Sequence, residues 1–247
     1  MSEFSGDGSV QPAADAAGRE PAVPTAIDEA GRAVRAPWAA SLAGLLFAIL
    51  FTGALLLLRS TPLVTASDEE LVRLFARGED TAVVIGGLYL APFSGIMFLW
   101  FVAVIRDQIG EREDRFFATV FFGAGLLFVA LLFAAAAVAS MMVVGVRYLG
   151  QDAPSAALVG AMRALSYTLL FAFATRAGGV FLISTATIGL RSRAFPAWVA
   201  WTGYLVGTVL LVAVTFWDWF ILMLPAWVAV ISLFILRRER SRRRNEP

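Results

Sequence analysis

Residues 116–146 read FFATVFFGAGLLFVALLFAAAAVASMMVVGV, a stretch without a single charged side chain. An α-helix rises about 1.5 Å per residue and the hydrocarbon core of a bilayer is about 30 Å thick, so about 20 such residues cross it. Further uncharged runs lie on both sides of this one. They cover residues 36–58, 81–105, 177–190, 194–217 and 219–236. The run 177–190 reaches the length of a span only if its helix extends back through Arg176.

The chain is therefore predicted to be an all-α membrane protein whose domain 36–236 is a bundle of six transmembrane helices. The spans are predicted over residues 37–58, 82–105, 116–144, 157–190, 197–216 and 220–236. Pro92 lies inside the second span and predicts a kink, because proline has no N–H and clashes with the preceding turn. Residues 1–35 are rich in Ala, Gly and Pro and predict a disordered cytoplasmic N-terminal tail. Residues 237–247 form a basic cytoplasmic C-terminal tail.

The arginines predict the orientation of the chain. All twenty basic residues are arginines, which we interpret as the codon bias of a high-GC bacterial genome. With six spans, fourteen arginines fall on the side of the two termini and four on the opposite side, while Arg163 and Arg176 belong to the fourth span. Cytoplasmic segments carry the excess of positive charge. Both termini are thus predicted to be cytoplasmic, and the chain to lie in the bacterial cytoplasmic (inner) membrane.

A short external amphipathic helix is predicted between the first two spans. Ser67 and Glu70 have the spacing of a capping box, in which each side chain accepts a hydrogen bond from the backbone of the other residue. An apolar stripe follows over residues 71–75. The helix is predicted over residues 68–77, on the outer membrane surface.

Five carboxylates surround this predicted helix: Asp68, Glu69, Glu70, Glu79 and Asp80. They raise the alternative of a calcium site, because Ca²⁺ is bound by carboxylate oxygens. The cluster lacks the ligand spacing of a known calcium loop, however. Helix capping with a solvated face is the favoured interpretation, and no metal site is predicted.

The composition excludes several kinds of chemistry. The chain has no cysteine, histidine or lysine, so thiolate nucleophiles, histidine ligands for zinc or haem and lysine Schiff bases are all excluded. Proteases that use a serine–histidine pair or zinc are excluded for the same reason. The sequence therefore predicts that the protein is not an enzyme and holds no cofactor.

Arg176 is the main candidate for a polar site inside the membrane. It follows Arg163 by thirteen residues, about 20 Å along a straight helix, and is expected near the bilayer midplane. An arginine there costs about 2.5–3.5 kcal/mol, so it should face the bundle interior. Tyr167, Tyr204 and Ser94 are its candidate polar neighbours. Two alternatives stay open: Arg176 fixes the fourth span to its neighbours, or it binds an anion or lipid headgroup in a polar cavity.

Two further pairs are predicted. Arg163 and Asp218 are candidates for an ion pair at the outer interface. Gly203 and Gly207 have the spacing at which helix backbones approach closely in membranes. We favour packing within one chain for these glycines, with a dimer face as the alternative.

Some stretches of the sequence are similar to those of a known class of proteins. They include FLWF at residues 98–101, EDRFF at 113–117 and FPAW at 195–198, the last followed by Gly203 and Tyr204. Together they resemble uncharacterised multi-pass membrane proteins of high-GC bacteria, over residues 40–236. The resemblance implies a polytopic membrane fold and assigns no functional residue.

Three functions are compatible with these observations. We favour a non-enzymatic scaffold, sensor or accessory protein of the membrane. The alternative is a small transporter or channel with an anion or lipid-headgroup site at Arg176, and an intramembrane enzyme is the least favoured. The expected partners are anionic lipid headgroups at the C-terminal arginines, with a homo-oligomer or another membrane protein as a further partner. No nucleic-acid partner is predicted.

The predicted topology can be tested with reporter fusions. Fusions at the N-terminus, at residues 108–112 and at the C-terminus should report a cytoplasmic location. Fusions within residues 65–80 and 150–154 should report an external one. A single loop on the opposite side would contradict the six-span arrangement.

Overall fold

The computed structural model describes residues 37–60, 67–77, 80–109, 115–193, 196–213, 217 and 219–244. All regular structure in these residues is helical. The helices are α1 (Pro37–Arg59), α2 (Asp68–Arg77), α3 (Thr81–Val83), π1 (Val84–Leu90), α4 (Ala91–Ile109), α5 (Arg115–Leu149), α6 (Ala156–Tyr167), π2 (Thr168–Ala174), α7 (Thr175–Arg191), α8 (Ala197–Val212), a 3₁₀ turn (Phe220–Leu222) and α9 (Met223–Arg244). The predicted disordered tail, residues 1–35, lies outside the described residues.

Within the described part of the chain, five helical stretches are long and apolar enough to cross a membrane. They are Trp38–Arg59, Thr81–Arg106, Phe116–Leu149, Ala156–Arg191 and Phe220–Ser241. These stretches coincide with five of the six predicted spans. The last continues as helix into the basic segment as far as Arg244.

The remaining predicted span, residues 197–216, is shorter than expected. Its helix α8 ends at Val212, because Ala213 has an extended backbone with ψ near 134°. Sixteen residues rise about 24 Å, less than the 30 Å hydrocarbon core. The predicted end at residue 216 is thus four residues too late for the helix, and residues 214–216 lie outside the described part of the chain.

An aromatic cluster lies at the centre of the bundle. Phe98 of α4 contacts rings from three other helices: Phe47 of α1 at 4.8 Å, Phe181 of α7 at 4.9 Å and Phe128 of α5 at 5.0 Å between centroids. All four side chains are fully buried. Tilted ring pairs at such distances are favourable beyond the area they bury. The cluster therefore joins the four helices at one level.

A π-helical segment stands where the kink was predicted. Pro92 has no N–H to donate to the turn before it, and π1 occupies the seven residues up to Leu90. The N–H of Ala91 reaches back five residues, to the carbonyl of Gly86. Wider turns of this kind occur where the α-helical hydrogen-bond pattern is interrupted. The second π segment, π2, has no proline in or next to it.

Glycines allow α7 and α8 to approach at backbone distance. A Cβ placed on Gly179 would lie 2.7 Å from the carbonyl oxygen of Gly207 and 3.0 Å from the amide nitrogen of Leu211. A Cβ on Gly203 would lie 2.6 Å from the ring of Trp227. Gly203 and Gly207 thus face other helices of the same chain. Close backbone contact of this kind stabilises helix pairs in lipid through van der Waals packing.

We expect Gly179→Ala to destabilise the protein, because the new methyl group meets backbone atoms that cannot rotate away. Gly123→Ala on α5 is the matched control, since no atom lies within 4 Å of its added Cβ. The control should be neutral or slightly stabilising, because alanine favours helix. Thermal unfolding in detergent checks both. Equal melting temperatures for the two variants would contradict the close α7–α8 contact.

Candidate functional site

Arg176 is half-buried and bonds to its own helix. Its Nη1 donates to the carbonyl of Ala172, one turn earlier in π2. Ser94, predicted to lie near it, is fully buried, and its hydroxyl donates to the carbonyl of Ala91 at 2.7 Å. Both side chains thus complete the backbone hydrogen bonding of the helix that carries them. A shared site between them stays a prediction.

The two tyrosines of the predicted site bond elsewhere. Tyr204 shares a 2.8 Å hydrogen bond with the hydroxyl of Thr187, which joins α8 to α7. Tyr167 accepts a hydrogen bond of 3.0 Å from Nη2 of Arg163. Asp218, the predicted ionic partner of Arg163, lies outside the described residues. The predicted Arg163–Asp218 pair therefore stays untested.

The capping box of α2 is present. The carboxylate of Glu70 accepts from the amide of Ser67 at 2.8 Å, and the hydroxyl of Ser67 accepts from the amide of Glu70 at 3.4 Å. The amide of Ser67 and, at 3.2 Å, its hydroxyl both donate to the carboxylate of Glu70, and these two hydrogen bonds hold the pKa of Glu70 below its ordinary value. The carboxylate of Asp68 accepts from the amide of Ala156 at the start of α6. The first turn of α2 is thus capped by Ser67 and Glu70, and through Asp68 it also binds the first amide of α6.

The sequence suggested that Asp80 is exposed to solvent, but its side chain is buried in the structure. It is 1% exposed, and its Oδ1 accepts a hydrogen bond of 3.3 Å from Nη1 of Arg147 at the end of α5. Glu69 pairs with Arg73 across one turn of α2. Within the described residues no cluster of carboxylates that could hold a metal ion is found. Of the five clustered carboxylates, Asp68 and Glu70 accept hydrogen bonds at helix starts and Glu69 and Asp80 form ion pairs, while Glu79 lies outside the described residues.

A cavity of about 110 Å³ lies beside α2, at the end of the bundle that α2 covers. We call this the α2 end. Side chains from α1, α2, α3, α5, α6 and π2 form its walls, and most of them are apolar. They include Leu55, Phe75, Met142, Val159 and Leu170. We call this space the upper cavity.

A second space of about 40 Å³ lies deeper in the bundle. Its walls include Phe51 and Leu132, and it shares Leu55, Ser166 and Leu170 with the upper cavity. We call it the lower cavity. The hydroxyl of Ser166, the polar side chain of this wall, donates to a backbone carbonyl in α5 at 2.9 Å. The lower cavity thus presents hydrocarbon to whatever enters it.

Two arginines line the upper cavity near the helix ends. The guanidinium of Arg59 lies over the ring of Trp219 at 5.2 Å, and that of Arg163 over the ring of Tyr167 at 4.7 Å. A cation over an aromatic face is stabilised by the ring quadrupole. A guanidinium carries five N–H donors, and Arg163 donates one of them to the hydroxyl of Tyr167.

The arrangement combines two kinds of surface. Guanidinium groups at one end suit a carboxylate or phosphate, and the apolar walls suit a hydrocarbon chain. Arg163 was predicted at an interface, but nothing in the sequence connects it with Arg59, because the two are about a hundred residues apart. The sequence did contain a signal for the positions of these arginines, since each lies at or near the end of an apolar run. What brings them together is the pairing of helices, which periodicity does not reveal.

Comparison of the chain with protein-family models, curated proteins and solved structures finds no significant match in any of the three.

We expect the first turn of α2 to lose protection when Ser67 is replaced by alanine. Amide exchange at residues 68–71 should become about fivefold faster, as for a lost cap of about 1 kcal/mol. Protection factors from hydrogen exchange at neutral pH measure this effect. An unchanged rate would contradict the cap.

The same turn should respond to acid. Because the pKa of Glu70 is lowered in the folded helix, its contribution is present above the ordinary glutamate value of about 4.3 and is lost as pH falls through the lowered value. Glu70→Gln keeps an acceptor oxygen but does not titrate. We therefore expect protection of residues 68–71 to fall in acid for the wild type and to be nearly independent of pH for Glu70→Gln.

Proposed function

We propose that this chain is a non-enzymatic protein of the bacterial cytoplasmic membrane that binds an anionic amphiphile at the α2 end and acts as a sensor or accessory subunit. The observation that carries the proposal is the upper cavity, which has Arg59 and Arg163 among otherwise mainly apolar walls. A soluble anion would leave the walls unfilled, and a neutral lipid would bring no negative charge to the guanidinium donors. An amphiphile satisfies both.

The proposed topology has six spans with both termini in the cytoplasm. The arginine distribution supports it, since fourteen of the arginines then lie on the cytoplasmic side. Exposed Trp198 near the start of α8, and Trp217 and Trp219 beyond its end, have the positions of interfacial anchors. A helix as short as α8 is accommodated by local thinning of the bilayer. The α2 end then lies in the outer leaflet.

The aromatic cluster favours binding over transport. Phe47, Phe98 and Phe128 are fully buried and fill the space among α1, α4 and α5. Phe51, in the wall of the lower cavity, contacts two of these rings. A ligand that enters from the α2 end thus meets packed rings at the bundle centre.

We also propose that α9 contacts anionic headgroups at the opposite face. Its basic segment continues the helix as far as Arg244, and Arg237 and Arg238 are both exposed. Each arginine near an anionic surface contributes about 1 kcal/mol. This contact would fix the orientation of the chain and is separate from the cavity.

The proposal is tested by adding lipids to the purified full chain in detergent and measuring thermal unfolding. We expect phosphatidylglycerol to raise the melting temperature of the wild type and phosphatidylcholine to have little effect. The double variant Arg59→Gln/Arg163→Gln should bind phosphatidylglycerol about tenfold more weakly or worse, because charge-assisted hydrogen bonds contribute about 1.5–3 kcal/mol.

Arg73→Gln is the matched control, since Arg73 is exposed on α2, pairs with Glu69 and does not line the cavity. It should respond to phosphatidylglycerol like the wild type. Equal stabilisation of the double variant and the wild type would overturn the proposed site. So would equal stabilisation by the two lipids.

A further inference from the structure

We infer that α2 is a lid on the upper cavity. It closes the cavity in this structure, and it must move away from α5 and α6 before an amphiphile can enter. The ligand is that of the proposed function, on which this inference rests. The movement of α2 adds how such a ligand reaches the cavity and which contacts keep the cavity closed without it.

The upper cavity is too small in this structure for the apolar part of a membrane amphiphile. Its volume is about 110 Å³, whereas an apolar cavity of about 150 Å³ takes a single benzene ring. The lower cavity holds about 40 Å³ more, so the two together match only that one ring. A ligand of the proposed class therefore enters only if one of the walls moves.

Most of the walls belong to membrane-length helices that pack against one another. α1 and α5 meet through aromatic rings, since Phe47 and Phe51 both contact Phe128, at 6.2 and 6.3 Å between centroids. The fourth predicted span is joined to α5 by the 2.9 Å hydrogen bond from Ser166 to the carbonyl of Ala135. Separating these helices would break the core of the bundle, so their walls are fixed.

The wall formed by α2 is different, because α2 is a short helix of ten residues that packs on the bundle through one face. Its Phe75 lines the upper cavity and packs against a buried cluster formed by Val83, Val84 and Val143. Leu74, the residue before it, is also buried. Moving α2 outward withdraws the ring of Phe75 from the cavity wall and enlarges the space behind it.

A hydrogen bond joins the start of α2 to the start of α6. The carboxylate of Asp68 accepts it from the amide of Ala156, and both groups are exposed. The neighbouring Glu69 instead pairs with Arg73 within α2. Water can replace an exposed hydrogen bond when it breaks, so neither group is left buried without a partner. α2 can therefore separate from α6 at low cost.

The membrane surface also limits the cost of moving α2. In the proposed topology α2 lies at the outer interface, where the apolar face of an amphipathic helix enters lipid rather than water. Val72 is already exposed on α2. Asp80, which follows α2 in the chain, is buried and pairs with Arg147 at the end of α5. The chain beyond α2 thus stays attached to the bundle, and the movement is confined to α2.

Thiol labelling tests the lid without any ligand, because the chain has no cysteine of its own. Val143→Cys places a thiol in the cavity wall beneath Phe75, and Met141→Cys places a reference thiol at an exposed position of the same helix. In the purified full chain in detergent, N-ethylmaleimide should label Val143→Cys more slowly than Met141→Cys. Adding Asp68→Ala should speed the labelling of Val143→Cys several-fold, because it removes the hydrogen bond to α6.

Glu69→Ala is the matched control, since Glu69 is the next residue of α2 and pairs with Arg73 of the same helix. It should leave the labelling rate of Val143→Cys unchanged. Equal rates with Asp68→Ala and with Glu69→Ala would overturn the lid. So would labelling of Val143→Cys as fast as that of Met141→Cys in the otherwise unchanged chain, because the cavity would then be open.

A reversible lock tests the lid with a ligand. Asp68→Cys/Ala156→Cys places two thiols where a hydrogen bond now joins the residues, and one preparation of the full chain is compared in its oxidised and reduced forms. Phosphatidylglycerol should raise the melting temperature of the reduced form and have much less effect on the oxidised form. If the wild type responds, equal responses of the two forms would overturn the lid. A wild type that does not respond would overturn the proposed function, whereas thiol labelling decides separately whether α2 opens.

Discussion

Every backbone N–H and C=O in the hydrocarbon core must find a hydrogen bond within the protein, because lipid offers none. In a regular α-helix the amide of Thr175 would bond to the carbonyl of Phe171, but in π2 it reaches back to Leu170 instead. The carbonyl of Phe171 accepts from the hydroxyl of Thr175 at 2.6 Å. Ala172 accepts from Arg176 in the same region. Hydrogen bonds from side chains thus replace backbone hydrogen bonds that the wider turn shifts to other carbonyls. The helix of the fourth predicted span therefore remains continuous.

Once the backbone of each helix is hydrogen-bonded within that helix, side-chain packing determines how the helices assemble. Lipid tails are as apolar as the helix surfaces, so close contact rather than water exclusion stabilises the bundle. The chain achieves this contact in two ways. Gly179 and Gly207 remove side chains where α7 and α8 meet, whereas Phe98 fills the space among four helices with aromatic rings. Alanines such as Ala135 line the lower cavity and leave space that no side chain fills.

Local patterns predicted much of the fold, because span length, caps and breakers depend on neighbouring residues. The uncharged runs located five membrane-length helices, and Ser67 with Glu70 located the start of α2. Pro92 indicated the disturbance at π1, but no proline marks π2, so that segment had no sequence signal. The Asp80–Arg147 pair joins residues 67 positions apart, and such a pairing depends on which helices become neighbours. The cavity was missed for the same reason.

The proposed function rests on how the described charges at the α2 end are arranged. Asp80 forms an ion pair with Arg147. The carboxylates of Asp68 and Glu70 accept hydrogen bonds from the amides of Ala156 and Ser67. Arg163 instead stacks on a tyrosine and donates one hydrogen bond to its hydroxyl, which stabilises the cation without neutralising it. A guanidinium carries five N–H donors, so further acceptors can be bound. Under the proposed function, an amphiphile would bring an anionic group to these donors and place its apolar part against the walls of the upper cavity.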